Sequence, residues 1–73
     1  MAKQLPIIVE KDENGYYVIE CPIFDGCYSQ GKTLDEALNN IKKVIALVLE
    51  DKINQSFLRS YQSKELSFHT LAV

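Results

Sequence analysis

The residues Tyr28-Ser29-Gln30-Gly31-Lys32-Thr33-Leu34-Asp35-Glu36-Ala37-Leu38 hold the point at which the chain changes its period. Cys27 to Gln30 reads as a short strand, and Gly31 ends it. From Thr33 the pattern is helical. Thr33-Leu34-Asp35-Glu36 forms a capping box, in which the threonine hydroxyl accepts from the amide three residues on while Glu36 reaches back. Asp35 and Glu36 also lie in the first turn, where the positive end of the macrodipole favours carboxylates. Leu34, Ala37, Leu38, Ile41, Val44, Ile45 and Val48 then recur at steps of three and four, tracing one buried stripe. The spacing predicts a helix running to about Asp51 or Lys52, with Leu47 and Leu49 off the stripe and its C-terminal end apolar over a wide arc.

Upstream, Leu5-Pro6-Ile7-Ile8-Val9-Glu10 reads as a strand, with Pro6 near its start where a missing donor is tolerated. Lys11-Asp12-Glu13-Asn14-Gly15 follows as a turn, and Asn-Gly predicts a hairpin because both residues accept positive φ. The second strand is Tyr16-Tyr17-Val18-Ile19-Glu20-Cys21. Pro22 interrupts pairing and Asp25-Gly26 supplies another turn. The first three strands therefore form an antiparallel meander.

Downstream, Asn54-Gln55-Ser56 reads as the end of the helix, and Phe57, Leu58 and Tyr61 as a helical turn that packs back. Glu65 to Val73 alternates well enough to be a fourth strand. The order β-β-β-α-β, with a right-handed crossover, places that strand parallel to the first and beside it. The fold class predicted is α+β: a two-layer domain over residues 1–73, one helix on one face of a four-stranded sheet.

Alternation assigns Leu5, Ile7, Val9, Tyr17, Ile19 and Cys21 to the helix side. The opposite face takes Ile8, Glu10, Tyr16, Val18, Glu20, Tyr28, Gln30, His69 and Leu71. A single helix leaves that face bare, and aromatics with aliphatics on an uncovered surface predict a protein contact there.

The chain has 73 residues, 47% of them hydrophobic and 25% charged, which excludes disorder. So short a chain buries only about 60% of the surface its unfolded form exposes, which favours a homodimer or higher homo-oligomer or a permanent partner. Its net charge is −2. The cations are scattered, without the basic stripe that nucleic-acid binding requires, and the acidic balance suits a basic protein partner. The N-terminus lacks a secretory h-region and no apolar run is long enough for a membrane span. A cytoplasmic protein with Cys21 and Cys27 reduced is expected.

Catalytic chemistry is sparse. A Cys-x₅-Cys spacing with one distant histidine makes a poor zinc site, so Cys21 and Cys27 read as structural thiols and His69 as a strand residue. Asp12, Glu13, Asp25, Asp35 and Glu36 read as turn or cap residues. Only Glu10 and Glu20 come from strand interiors; facing one another they would supply two ligands, too few for a two-metal nuclease. No glycine-rich phosphate loop is present. Neither enzyme activity, metal nor cofactor is expected.

Ile8-Val9-Glu10-Lys11-Asp12-Glu13-Asn14-Gly15-Tyr16, then Gly26-Cys27-Tyr28-Ser29-Gln30-Gly31-Lys32-Thr33-Leu34-Asp35-Glu36-Ala37-Leu38-Asn39-Asn40 and the helix after it, resemble the HicB antitoxin family of toxin–antitoxin systems. The likeness spans roughly residues 5 to 50 and is most specific from Gly26 to Leu38. The family's turn usually carries Asp-Leu-Pro-Gly-Cys; this chain has Ile23-Phe24-Asp25-Gly26-Cys27, with Asp25 in place of the proline. The resemblance implies a partly degraded ribonuclease-H-like fold without catalytic carboxylates. It implies binding to a HicA-like toxin, a small basic ribonuclease that cleaves messenger RNA through a histidine, with the antitoxin covering that active site. Many such proteins carry a C-terminal DNA-binding domain, for which the chain to Val73 has no room, so direct DNA binding is not expected. The residues expected to meet the partner are Ile8, Glu10, Tyr16, Val18, Glu20, Asp25, Tyr28 and Gln30. The competing readings are an orphan oligomeric adaptor of the same fold and a residual metal-dependent nuclease.

Overall fold

A computed structural model describes residues 4–62 and 67–73. The fold is α+β: three strands, β1 (Ile8–Lys11), β2 (Tyr17–Glu20) and β3 (Tyr28–Gly31), followed by helices α1 (Leu34–Val48) and α2 (Lys52–Ser60). The sheet is antiparallel in the order β1-β2-β3, as the meander predicts.

The β1–β2 hairpin forms, but by a different turn from the one that Asn-Gly suggests. Only Gly15 takes a positive φ, +85°, and Asn14 does not. The Asp12 carboxylate accepts from the amides of Asn14 and Tyr16, both at 2.9 Å, while the Gly15 amide donates to the Asp12 carbonyl at 3.0 Å. Asp12 thus satisfies the loop amides itself, and the hairpin closes through a three-residue loop, residues 13–15, ending in a left-handed glycine.

The β2–β3 connection is closed by Cys21, whose amide donates to the Cys27 carbonyl at 2.8 Å, with Gly26 at φ +68°. Within it Phe24 turns inward and is buried. Cys21 and Cys27 are buried too, and together with Ile19, Ala37 and Ile41 these residues make the core. Leu38, Val44, Ile45 and Val48 pack partly buried against it, as the helical stripe predicts, whereas Leu34 stays exposed at the helix start.

Thr33 caps α1 as expected, its hydroxyl accepting from the Glu36 amide at 3.1 Å. The end of α1 differs from the expectation. The helix stops at Val48, and Asp51, read as its last turn, is instead the N-cap of α2, accepting from the Ile53 amide at 2.8 Å. Asn54 and Gln55, read as the stop signal, are helical. Their side-chain amides reach back to the carbonyls of Val48 (3.0 Å) and Leu49 (2.6 Å), satisfying acceptors that α1 leaves orphaned. The helical turn expected around Phe57, Leu58 and Tyr61 is thus part of a nine-residue helix. Leu58 packs on the core and Phe57 meets Phe24 edge-on, with ring centroids 6.1 Å apart.

The fourth strand expected over 65–73 is not found. Ser67 to Val73 joins no ladder, and residues 65 and 66 lie outside the described residues. Phe68 and Leu71 are 82% and 88% exposed, so alternation alone does not dock this segment. His69 and Leu71, expected on the bare face, belong to this unpaired tail.

Candidate partner-binding face

The face that α1 leaves uncovered follows from strand register. Ile8 pairs with Glu20, which pairs with Tyr28; Glu10 pairs with Val18, which pairs with Gln30. Paired residues share a face in an antiparallel sheet, so these six form two rows of three across the strands. The intervening positions (Val9, Lys11, Tyr17, Ile19, Ser29, Gly31) lie on the α1 side. Alternation in the sequence therefore sorted the strand residues correctly.

Apolar and acidic groups interleave on this face. Ile8 and Val18 are exposed, and Tyr28 is 63% exposed. Glu10 lies beside Val18 and Ile8, and Glu20 lies between Ile8 and Tyr28. The two glutamates are diagonal neighbours and do not face one another as the sequence suggested, because Glu10 is in register with Val18 and Glu20 with Ile8. Among the described residues no group of three or more His, Cys, Asp or Glu is arranged to hold a metal ion. Lys11, the cation of β1, belongs to the other face, with its ammonium 5.5 Å from the centroid of the Tyr17 ring. The bare face of the three strands consequently carries two carboxylates and no cation.

Two expected site residues fall outside these rows. Tyr16 precedes β2 at the hairpin end, exposed on the same alternation, its carbonyl accepting from the Asp12 amide at 2.8 Å. Asp25 is exposed in the β2–β3 turn, while its neighbour Phe24 points into the core.

The cysteines play a packing role. Burial pushes both thiols above their ordinary value, in Cys27 against the lowering effect of the hydrogen bond from Cys21. The structure adds one position with no residue-type signal of ligand chemistry. Gly31 lies so close to α1 that a Cβ there would sit 2.5 Å from the Ala37 nitrogen. That close approach seats α1 over β3 and β2.

The family profile described as HicB-like antitoxin of bacterial toxin–antitoxin system matches residues 5–68, nearly the whole chain. The chain belongs to the HicB-like antitoxin family. Relatives agree over much of its length. A UPF0150 protein of Thermoplasma acidophilum is 43% identical over 65 residues, covering 86% of this chain and 93% of its own. A UPF0150 protein of Archaeoglobus fulgidus is 50% identical over 48 residues, 66% of this chain and 70% of its own. A third, from Helicobacter pylori, is 54% identical over 44 residues, 60% of each chain. No solved structure matches. HicB-like membership assigns the chain to an antitoxin family, and no described helix is long and apolar enough to cross a membrane.

Proposed function

We propose that this HicB-like domain, residues 1–73, acts in the cytoplasm as a non-catalytic antitoxin that binds a HicA-like messenger-RNA-cleaving toxin and covers its active site. The binding surface is the bare sheet face: Ile8, Glu10, Val18, Glu20, Tyr28 and Gln30, extended at its ends by Tyr16 and Asp25. The observation that supports this surface is the two-row lattice itself. An exposed tyrosine and two aliphatics supply apolar contact area, and the flanking carboxylates complement a ribonuclease that is basic because it holds RNA. The partly degraded ribonuclease-H-like description suits a three-stranded meander followed by α1. In that description a fourth strand belongs beside β1, next to the same face. A second reading, an oligomeric adaptor without a toxin, is favoured by the small core.

Co-expression with the adjacent gene product tests the proposal. A small basic neighbour should be toxic alone, harmless with this chain, and recovered with it in a stable complex. A toxic neighbour that is neither bound nor neutralised refutes it.

A further inference from the structure

The two cysteines are neighbours across the sheet as well as core residues. The β2–β3 register pairs Glu20 with Tyr28, so its next step sets Cys21 directly opposite Cys27, and the Cys21 amide donates to the Cys27 carbonyl at 2.8 Å. Both side chains fall on the α1 side, both are buried, and both thiols are free. The Cys21 thiol donates a hydrogen bond to the Cys27 sulfur. Opposite residues joined by backbone hydrogen bonds hold their Cα atoms about 5.5 Å apart, inside the roughly 4.4–6.8 Å that a disulfide spans. The two sulfurs are therefore placed to bond without a change of fold. The turn between them is exposed at Pro22, Asp25 and Gly26, so a small oxidant reaches the sulfurs when that turn opens.

We infer that Cys21 and Cys27 are a reversible dithiol–disulfide pair, a redox-sensitive clasp across the ends of β2 and β3 that closes on reaction with a peroxide. Cys27 is the attacking sulfur, since it accepts hydrogen bonds from both the thiol and the backbone of Cys21. Its thiolate takes one oxygen of hydrogen peroxide, the O–O bond breaks, and the other oxygen leaves as water once protonated. Cys21 then attacks the resulting sulfenic sulfur and expels its oxygen as a second water. Two thiols and one peroxide thus give one disulfide and two waters. Two features make the bond reversible. The loop it closes, residues 21–27, is short, so the unfolded chain gains little constraint from it. Bonding also draws the Cβ atoms from about 4.5–5.5 Å to about 3.8 Å, and strain of this kind makes a disulfide easier to reduce. The closed loop contains Phe24, whose ring meets Phe57 of α2, and its ends adjoin Glu20 and Tyr28. Oxidation therefore reaches α2 and one end of the bare face together. The inference does not depend on the toxin reading.

Intact-mass spectrometry and thiol counting on the reduced full chain, with hydrogen peroxide as oxidant, test it. The wild type should lose two hydrogens and both alkylatable thiols, run as a single chain on a non-reducing denaturing gel, and recover both thiols in dithiothreitol. Amide chemical shifts of the oxidised chain should move over residues 20–28 and near Phe57. Cys21→Ala should leave Cys27 as a sulfenic acid that dimedone captures, whereas Cys27→Ala should react more slowly with peroxide. The wild-type mass and thiol count decide the inference even where an alanine variant does not fold. Thiols that survive peroxide, sulfinic acid in place of the disulfide, or chains linked to one another overturn it. So does an oxidised chain that has lost its fold.

Discussion

Gly31 shows how one missing atom sets the layer spacing. Its backbone φ is not positive, so the glycine is required by packing and not by conformation: a Cβ there would sit 2.5 Å from the Ala37 nitrogen. Gly31→Ala must push α1 off the sheet, and over-packing of this kind costs about 1–3 kcal/mol. Urea denaturation should show that loss with an unchanged m-value. The buried thiols give a second residue-scale expectation. Both are held protonated by burial, and the unfolded chain releases those protons more readily. Stability from this source is therefore complete below the ordinary thiol value of 9.0 and declines as pH rises past it. Thermal melts from pH 7 to 10 should fall at the alkaline end, less so in Cys21→Ser. At pH 8 a thiol reagent should label the native protein far more slowly than the unfolded chain.

At the scale of elements, the junction between the helices shows where the sequence misleads. α1 has neither a glycine C-cap nor a basic last turn; Asn54 and Gln55 of the next helix close its carbonyls instead. Residues that favour loops were thus recruited as helical donors, and Asp51 was equally legible as an N-cap followed by Ile53, Phe57 and Leu58 at helical spacing. Asp51→Ala should destabilise the chain by about 0.5–2 kcal/mol, and Asn54→Ala should lower the melting temperature further. Far-UV circular dichroism should register α2 loosening while the sheet persists. The β-hairpins, the start of α1 and the core stripe were legible because each has a local chemical cause: a turn glycine, a capping threonine, a period. The tail was not, since alternation states which side a strand would bury and not whether anything pairs with it.

For the whole molecule, the same alternation rule had more reach. It separated Ile8, Glu10, Val18, Glu20, Tyr28 and Gln30 from the core-facing set because strand pairing admits only two faces and α1 covers one. Alternation could not place Glu10 relative to Glu20, because that relation depends on register, which the hairpin loop sets. The loop built by Asp12 and Gly15 makes the glutamates diagonal and so turns a conceivable metal pair into a dispersed acidic surface. Charge reversal there should therefore act on association and leave folding alone. Glu20→Lys should slow association with a basic partner and reduce its salt dependence.

The most direct measurement is the dissociation constant of the purified toxin partner for wild-type chain and for Tyr28→Lys, with melting temperatures taken in parallel. Tyr28 is exposed and outside the core, so the variant should melt with the wild type. If the bare face is the binding surface, it should bind at least about thirtyfold more weakly, the loss of a hot-spot anchor worth about 2 kcal/mol or more. Wild-type affinity in a variant that remains folded would contradict the assignment of this face.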